Sequence, residues 1–447
     1  MIKKTTLLVL LCAVALGAAV YYFDWKRGEN EKPANAPKPA YSIQASDVTS
    51  LTLAHPARPG DVPIRFEKHD GAWQIVQPIE TGADQSTVDG IVDQIAGAEF
   101  SQTEPGTPDR LRVYGLDPPQ ASVELHLASG AKHTLLVGGK DFEGNSAYCI
   151  VDGGTSVSLL PNLLATSTAK TLDDLRDRAI LHIDSAQVAS FSLRNSSGEL
   201  AVAKHNDQWK FTKPSDAFAS ADAVNALLAA VATSKITSVE SEKPENLARY
   251  GLSSPAITFV STDTKGPQST LLVGKKDGDA YFARDASRPM VFRISADVYT
   301  KLTQKFADLR DKSVVHSTPD DVQQIELRNA SGSLSVSRKK DSPGDWVFDA
   351  PDNQKGKSAA GWKILDVLTG LKADDIVDHP PASLAAQLAS PAITAVLTDK
   401  DGKAVTVRIS KAAGDFVYAQ ASDGPSVYKL KKQVLDDLNL KPGDLGT

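Results

Sequence analysis

GAWQIVQP at residues 71–78 returns as DQWKFTKP at 207–214 and again as GDWVFDAP at 344–351. A tryptophan among alternating apolar positions, closed by a proline, reads as a strand running into a turn. Other landmarks recur around it in the same order. YGLDPP at 114–119 becomes YGLSSP at 250–255 and thins to QLASP at 387–391. TLLVGGK at 134–140 becomes TLLVGKK at 270–276, and LDDLRDRAI at 172–180 becomes FADLRDKSV at 306–314. SLRNSSGEL at 192–200 becomes ELRNASGSL at 326–334. Matching landmarks are 134–137 residues apart. That period is a whole domain, far longer than a solenoid unit. Three modules in series are expected, over residues 41–181, 182–315 and 316–447, with the third divergent.

Within a module, residues 50–54, 64–68 and 73–76 alternate as antiparallel strands do. A helix follows: Val88, Ile91, Val92 and Ile95 form one apolar stripe at i, i+3, i+4 and i+7. The stripe recurs as Val224, Leu227, Leu228 and Val231, and as Ile364, Leu365 and Leu368. PENLARYGL at 244–252 then reads as a short helical turn, with Pro244 in its first turn and Gly251 as a left-handed cap that folds Leu252 onto Leu247. PDRLRVYGL at 108–116 repeats this with Pro108, Leu111, Gly115 and Leu116. The third copy lacks the glycine, so a different cap is expected there. Strands at 122–127, 133–137, 147–151 and 156–160 and a helix over 163–175 complete the first module. The expected class is α+β: three tandem modules, each an antiparallel sheet packed by one or two helices, after a single N-terminal transmembrane helix.

That helix is read from residues 5–23, TTLLVLLCAVALGAAVYYF, an uncharged run long enough to cross a bilayer. Lys3 and Lys4 precede it, and Tyr21, Tyr22 and Trp25 fall at the far interface. The rival is a cleaved signal peptide with Gly17 and Ala19 near the cut. Residues 1–27 are therefore an anchor or signal segment. Residues 28–40, GENEKPANAPKPA, are a Pro/Ala-rich linker. The short dilysine N-terminus is expected to stay in the cytoplasm, leaving the bulk of the chain in the periplasm.

Composition narrows the function classes. A net charge of −6 over 447 residues argues against nucleic-acid binding, which needs clustered basic side chains. Cys12 and Cys149 are the only cysteines, and Cys12 lies in the apolar run, so no disulfide framework or thiolate metal cluster can be built. Among eight histidines none has HExxH spacing. His126 and His133 flank a hairpin, but the other copies have no matching histidines. Gly356-Lys357-Ser358 lacks the leading glycine and feeding strand of a phosphate loop. The glycines of TLLVGGK are expected in a turn, the DLRD carboxylates in structural pairing at a module end, and the tryptophans in the core. No GxSxG elbow exists. No catalytic, cofactor-binding or metal-binding residue is therefore assigned, and no cofactor is expected.

The apolar start with its spacer, the G-x-W strand, the YGLDPP turn and the TLLVG strand together resemble the bacterial domain of unknown function 4340 family across the whole exterior. The resemblance brings no catalytic residues. It implies a membrane-anchored protein of the bacterial inner membrane, single-pass and facing the periplasm, auxiliary to ABC-type export or gliding-motility systems. The expected function is a non-enzymatic accessory or scaffold protein with protein partners in that membrane. One alternative is a periplasmic glycan- or peptide-binding module using grooves between modules. Another is a hydrolase with no recognisable motif.

Overall fold

The structure, a computed structural model, describes residues 21, 38–100, 102–377 and 380–446. The expected anchor lies outside the described residues apart from Tyr21, as does the linker before Lys38. Among the described residues no helix is long and apolar enough to cross a membrane. The chain divides into two compact units, residues 1–178 and 179–447.

The α+β expectation is corrected: the described chain is predominantly β, built on three nine-stranded antiparallel sheets and one two-stranded pairing. The first sheet runs Thr81–Gly82, Ala72–Gln77, Ile64–His69, Val48–Ala54, Ala121–Leu127, Lys132–Lys140, Ser146–Val151, Ser156–Pro161, Gln102–Pro105. The other two repeat that order, from Ala217–Phe218 to Ser238–Ser241 and from Ser358–Ala359 to Asp375–Val377. The helix of each module follows the strand at one edge and precedes the strand at the other. The chain thus uses the helix to cross one sheet face, and it adds an edge strand before filling the middle. Those edge strands are two to four residues long and too short to show alternation, so the sequence pattern under-counts the sheet.

The three helix stripes are buried, and Trp73, Trp209 and Trp346 are at most 5% exposed. A cation lies over each indole: Lys68, Lys204 and Arg338, at 4.9, 5.9 and 4.8 Å from the ring centroid. The expected helix over 163–175 is two pieces, Leu163–Thr168 and Leu172–Leu175, the second opened by a Thr171–Asp174 capping box.

Two devices tie each module's end to its beginning. The Asn195 amide donates to the Leu302 and Gln304 carbonyls at 3.1 and 2.9 Å. Asn329 donates to Leu438 and Leu440 at 2.8 and 3.0 Å. His55 fills that strand position in the first module: Nε2 lies 2.8 Å from the Thr168 carbonyl, and Nδ1 lies 2.6 Å from Asp61. The second device is the segment after the last helix. It pairs with the residues just before the helix that crosses the sheet: Arg176 with Ala83, Arg310 with Ala219, Gly446 with Ala359.

Candidate functional site

The glycine-rich strands and the YGL turns, far apart in sequence, are one feature. Gly115 and Gly251 have φ of 67° and 73° and close their turns through Leu116 N–H to the Leu111 carbonyl at 2.8 Å and Leu252 N–H to the Leu247 carbonyl at 3.0 Å. Pro108 opens its helix, whereas Pro244 lies outside the turn, which Asn246 caps by accepting from the Ala248 N–H. Gly138 and Gly274 lie within strands, which corrects the expected turn. The YGL turn rests on the strand at these glycines, and Gly139 N–H donates to the Tyr114 carbonyl at 2.7 Å. A Cβ at Gly138 or Gly274 would run into the Tyr114 or Tyr250 carbonyl. The third module lacks the YGL turn and has Ser410 at the strand glycine's place; its short helix ends at Ser390 with φ of −123°. These glycines thus serve backbone packing, and an anion site has no part in explaining them.

The histidine pair is kept apart. His126 lies 2.5 Å from Glu124 and His133 lies 2.8 Å from Asp152. They occupy successive hairpin rungs, opposite Lys132 and Leu125, so their side chains leave opposite faces. Among the described residues no group of three or more His, Cys, Asp or Glu is placed to hold a metal ion. Cys149 is buried, and burial pushes its thiol up to about 12. Gly356-Lys357-Ser358 is a turn entering the edge strand Ser358–Ala359. In both DLRD segments the first aspartate caps the short helix, accepting from the Thr171 and Lys305 N–H groups at 2.9 and 2.8 Å.

The arrangement with most chemistry lies inside the second unit, where the second sheet's module meets the third. A cavity of about 580 Å³ is lined there by Gln208, Trp209, Phe218, Asp311, His316 and Asp366, among others. Local backbone rules position these groups. Asn206 and Asp207 both have positive φ, the pattern of a type I′ hairpin turn, and deliver Gln208 to the rim. Gln208 donates to the His316 carbonyl at 2.8 Å, and Asp311 N–H donates to the Phe218 carbonyl at 2.9 Å. The His316 ring then stacks on Phe218, centroids 3.7 Å apart at 13°. Lys210 lies over the Phe218 ring at 4.2 Å.

His316 has a 6% exposed side chain set between two carboxylates: Nε2 is 3.4 Å from Asp311 and Nδ1 is 3.6 Å from Asp423. Burial pushes its pKa down, but Asp311 and Asp423 more than offset that, so the imidazole titrates above its ordinary value. Burial pushes Asp311 up, and His316 with the Ser313 N–H more than reverses it, holding the carboxyl below its ordinary value. Arg310, 4.9 Å from the Phe306 ring centroid, donates to the Ser426 hydroxyl at 2.9 Å. Burial raises the neighbouring Tyr428 phenol to about 12. An imidazole that moves protons must turn one nitrogen to its substrate. Here each nitrogen faces a carboxylate, so the cluster is built as an ionic seam. Asp311 closes a motif visible in sequence and His316 follows it, but Phe218 and Asp423 reach them only through the fold.

A family model described as a domain of unknown function (DUF4340) matches residues 73–217 and, a second time, 209–345. No curated protein matches the chain.

Proposed function

The chain belongs to the DUF4340 family, and from that premise we propose that it is a non-enzymatic accessory or scaffold protein of the bacterial envelope. It is held by its N-terminal apolar run in the inner membrane, faces the periplasm, and serves an ABC-type transport assembly with protein partners in that membrane. The observation that carries the scaffold reading is the seam. Arg310 and Ser426 join two modules through a buried hydrogen bond, and Asp311, His316 and Asp423 add half-buried ion pairs beside it. Buried polar groups of this kind fix one arrangement of two bodies, because any other leaves charges unpaired. A fixed arrangement suits a part that holds partners at set positions. Crosslinking in intact membranes followed by affinity purification tests the reading. Co-purification of inner-membrane transport subunits is the expected result, and recovery of the protein alone would count against it.

A second reading, binding of an envelope glycan or peptide, is favoured by the cavity of about 580 Å³ beside the seam, of a size for a small ligand. A thermal-shift screen against such compounds distinguishes it, because a ligand that binds only the folded state raises the melting temperature.

A further inference from the structure

Gln85 completes the edge of the first module's sheet. Its Oε1 accepts from the Trp73 main-chain N–H at 2.6 Å, and its Nε2 donates to the Trp73 and Ala83 carbonyls at 2.8 and 2.9 Å. Asp89, one helical turn on, accepts from the Trp73 indole N–H at 2.8 Å. One carboxamide and one carboxylate thus satisfy the polar groups that the tryptophan presents at this edge. In the third module the chain itself closes the place: Gly361 packs on the Trp346 indole, and a Cβ there would run into the ring.

The second module keeps this frame without the side chains that complete it. Trp209, Ala219, Ala221 and Asn225 stand 136 residues after Trp73, Ala83, Gln85 and Asp89. Ala219 N–H donates to the Trp209 carbonyl at 2.9 Å, as Ala83 N–H does to the Trp73 carbonyl at 3.4 Å. Ala221 carries no carboxamide to bridge the Trp209 N–H and the Ala219 carbonyl, and these two are not bonded to one another. Trp209 is 5% exposed, yet its indole N–H has no hydrogen-bond partner among the described residues. Buried donors are costly to leave unpaired. Trp209, Ala219 and Ala221 all line the cavity of about 580 Å³, so the groups that Gln85 would satisfy border a space large enough for a ligand.

We propose that this cavity takes a peptide whose glutamine or asparagine side chain occupies the place that Gln85 fills in the first module. This rests on the second reading above and names its ligand. The ligand oxygen accepts from the Trp209 N–H, and its nitrogen donates to the Trp209 and Ala219 carbonyls. Two donors on one nitrogen are needed, as in Gln85, which selects a primary carboxamide over the single N–H of an N-acetyl sugar. Charge selects the flanking residues. The ionisable lining groups are Asp207, Asp311, Asp366 and His316, with no lysine or arginine among them. Lys204 lies 3.5 Å from Asp207 and His316 lies 3.4 Å from Asp311, while Asp366 has no ion pair among the described residues. A lysine or arginine beside the carboxamide residue therefore complements the cavity, and an acidic one does not.

The test titrates the full chain, in neutral detergent, with capped tripeptides followed by calorimetry. Lys-Gln-Lys is expected to bind about tenfold or more tighter than Lys-Met-Lys, which has the same length without the carboxamide, and tighter than Glu-Gln-Glu. Ala221→Gln supplies the missing side chain from within and should abolish binding of Lys-Gln-Lys. Without peptide, Ala221→Gln should also raise the melting temperature above that of Ala221→Met, which fills the same space without a carboxamide. Equal binding of the Gln and Met peptides overturns the proposal. So does a melting temperature that is the same for Ala221→Gln and Ala221→Met, because the backbone groups would then need no carboxamide. If a glycan or peptide without a carboxamide binds and Ala221→Gln blocks it, the cavity reading stands and the carboxamide falls. If no glycan or peptide binds at all, both fall.

Discussion

At the residue scale, His316 makes a charge-dependent contribution whose pH window can be worked out. Its pKa is raised in the folded protein, so protons bind the folded state more tightly than the unfolded one. The contribution is complete below about 6.5, the ordinary histidine value, and is lost as pH rises through the raised value. Asp311 acts in the opposite sense. Its pKa is lowered, so its contribution is complete above about 4 and is lost as pH falls through the lowered value. The melting-temperature gap between the native protein and His316→Gln should be widest near pH 5–6 and should narrow at alkaline pH. A gap unchanged from pH 5 to pH 9 would mean that the ring is not charged in the seam. Asn195 offers a charge-free comparison. Asn195→Ala strands the buried carbonyls of Leu302 and Gln304, which should cost about 2 kcal/mol in urea unfolding at any pH.

At the scale of elements, the YGL turn and the strand beneath it can be separated by two glycines. Gly251 and Gly278 have φ of 73° and 59°, so alanine is strained at both by about 1 kcal/mol. They differ in surroundings. A Cβ at 251 would lie 2.9 Å from the Lys275 nitrogen, and one at 278 would meet nothing within 4 Å. Gly251→Ala should therefore destabilise by about 1–2 kcal/mol more than Gly278→Ala in chemical denaturation. Equal losses would reduce the turn to local strain and remove its docking on the strand. This turn was readable from sequence because Leu247, Gly251 and Leu252 fall within six residues, and helix-end chemistry is local. The strand glycines were misread because their reason lies in the Tyr250 carbonyl, brought from another element. The helix stripes were legible for the same local reason as the cap. The edge strands were not: Gln102–Pro105 is held by its pairing with residues 156–159 and carries no apolar alternation of its own.

For the second unit as a whole, the issue is whether two modules with separate cores unfold separately. Each has its own apolar cluster, one around Trp209 and Phe211 and the other around Trp346 and Phe348. Two such cores joined by a loose linker would give two transitions. The seam changes that expectation. Phe218 is 8% exposed, stacks on His316 and lies against Gly424, where a Cβ would come within 3.6 Å of its ring. Arg310 and Ser426 add a buried hydrogen bond across the same boundary. When either module unfolds, the other is left with buried charge and apolar surface that has lost its cover, so the two transitions are pulled together. Repetition made the modules visible in sequence, but nothing in the repeat marks Phe218 as a seam residue, because its partners come from the following module. Calorimetry of the full chain should show residues 179–447 melting in one transition. Phe218→Ala removes about 3 kcal/mol of packing at the boundary and should split that transition into two. If the native protein already melts there in two steps, or if Phe218→Ala only shifts a single step downward, the seam does not couple the modules and its ionic groups stabilise one module alone.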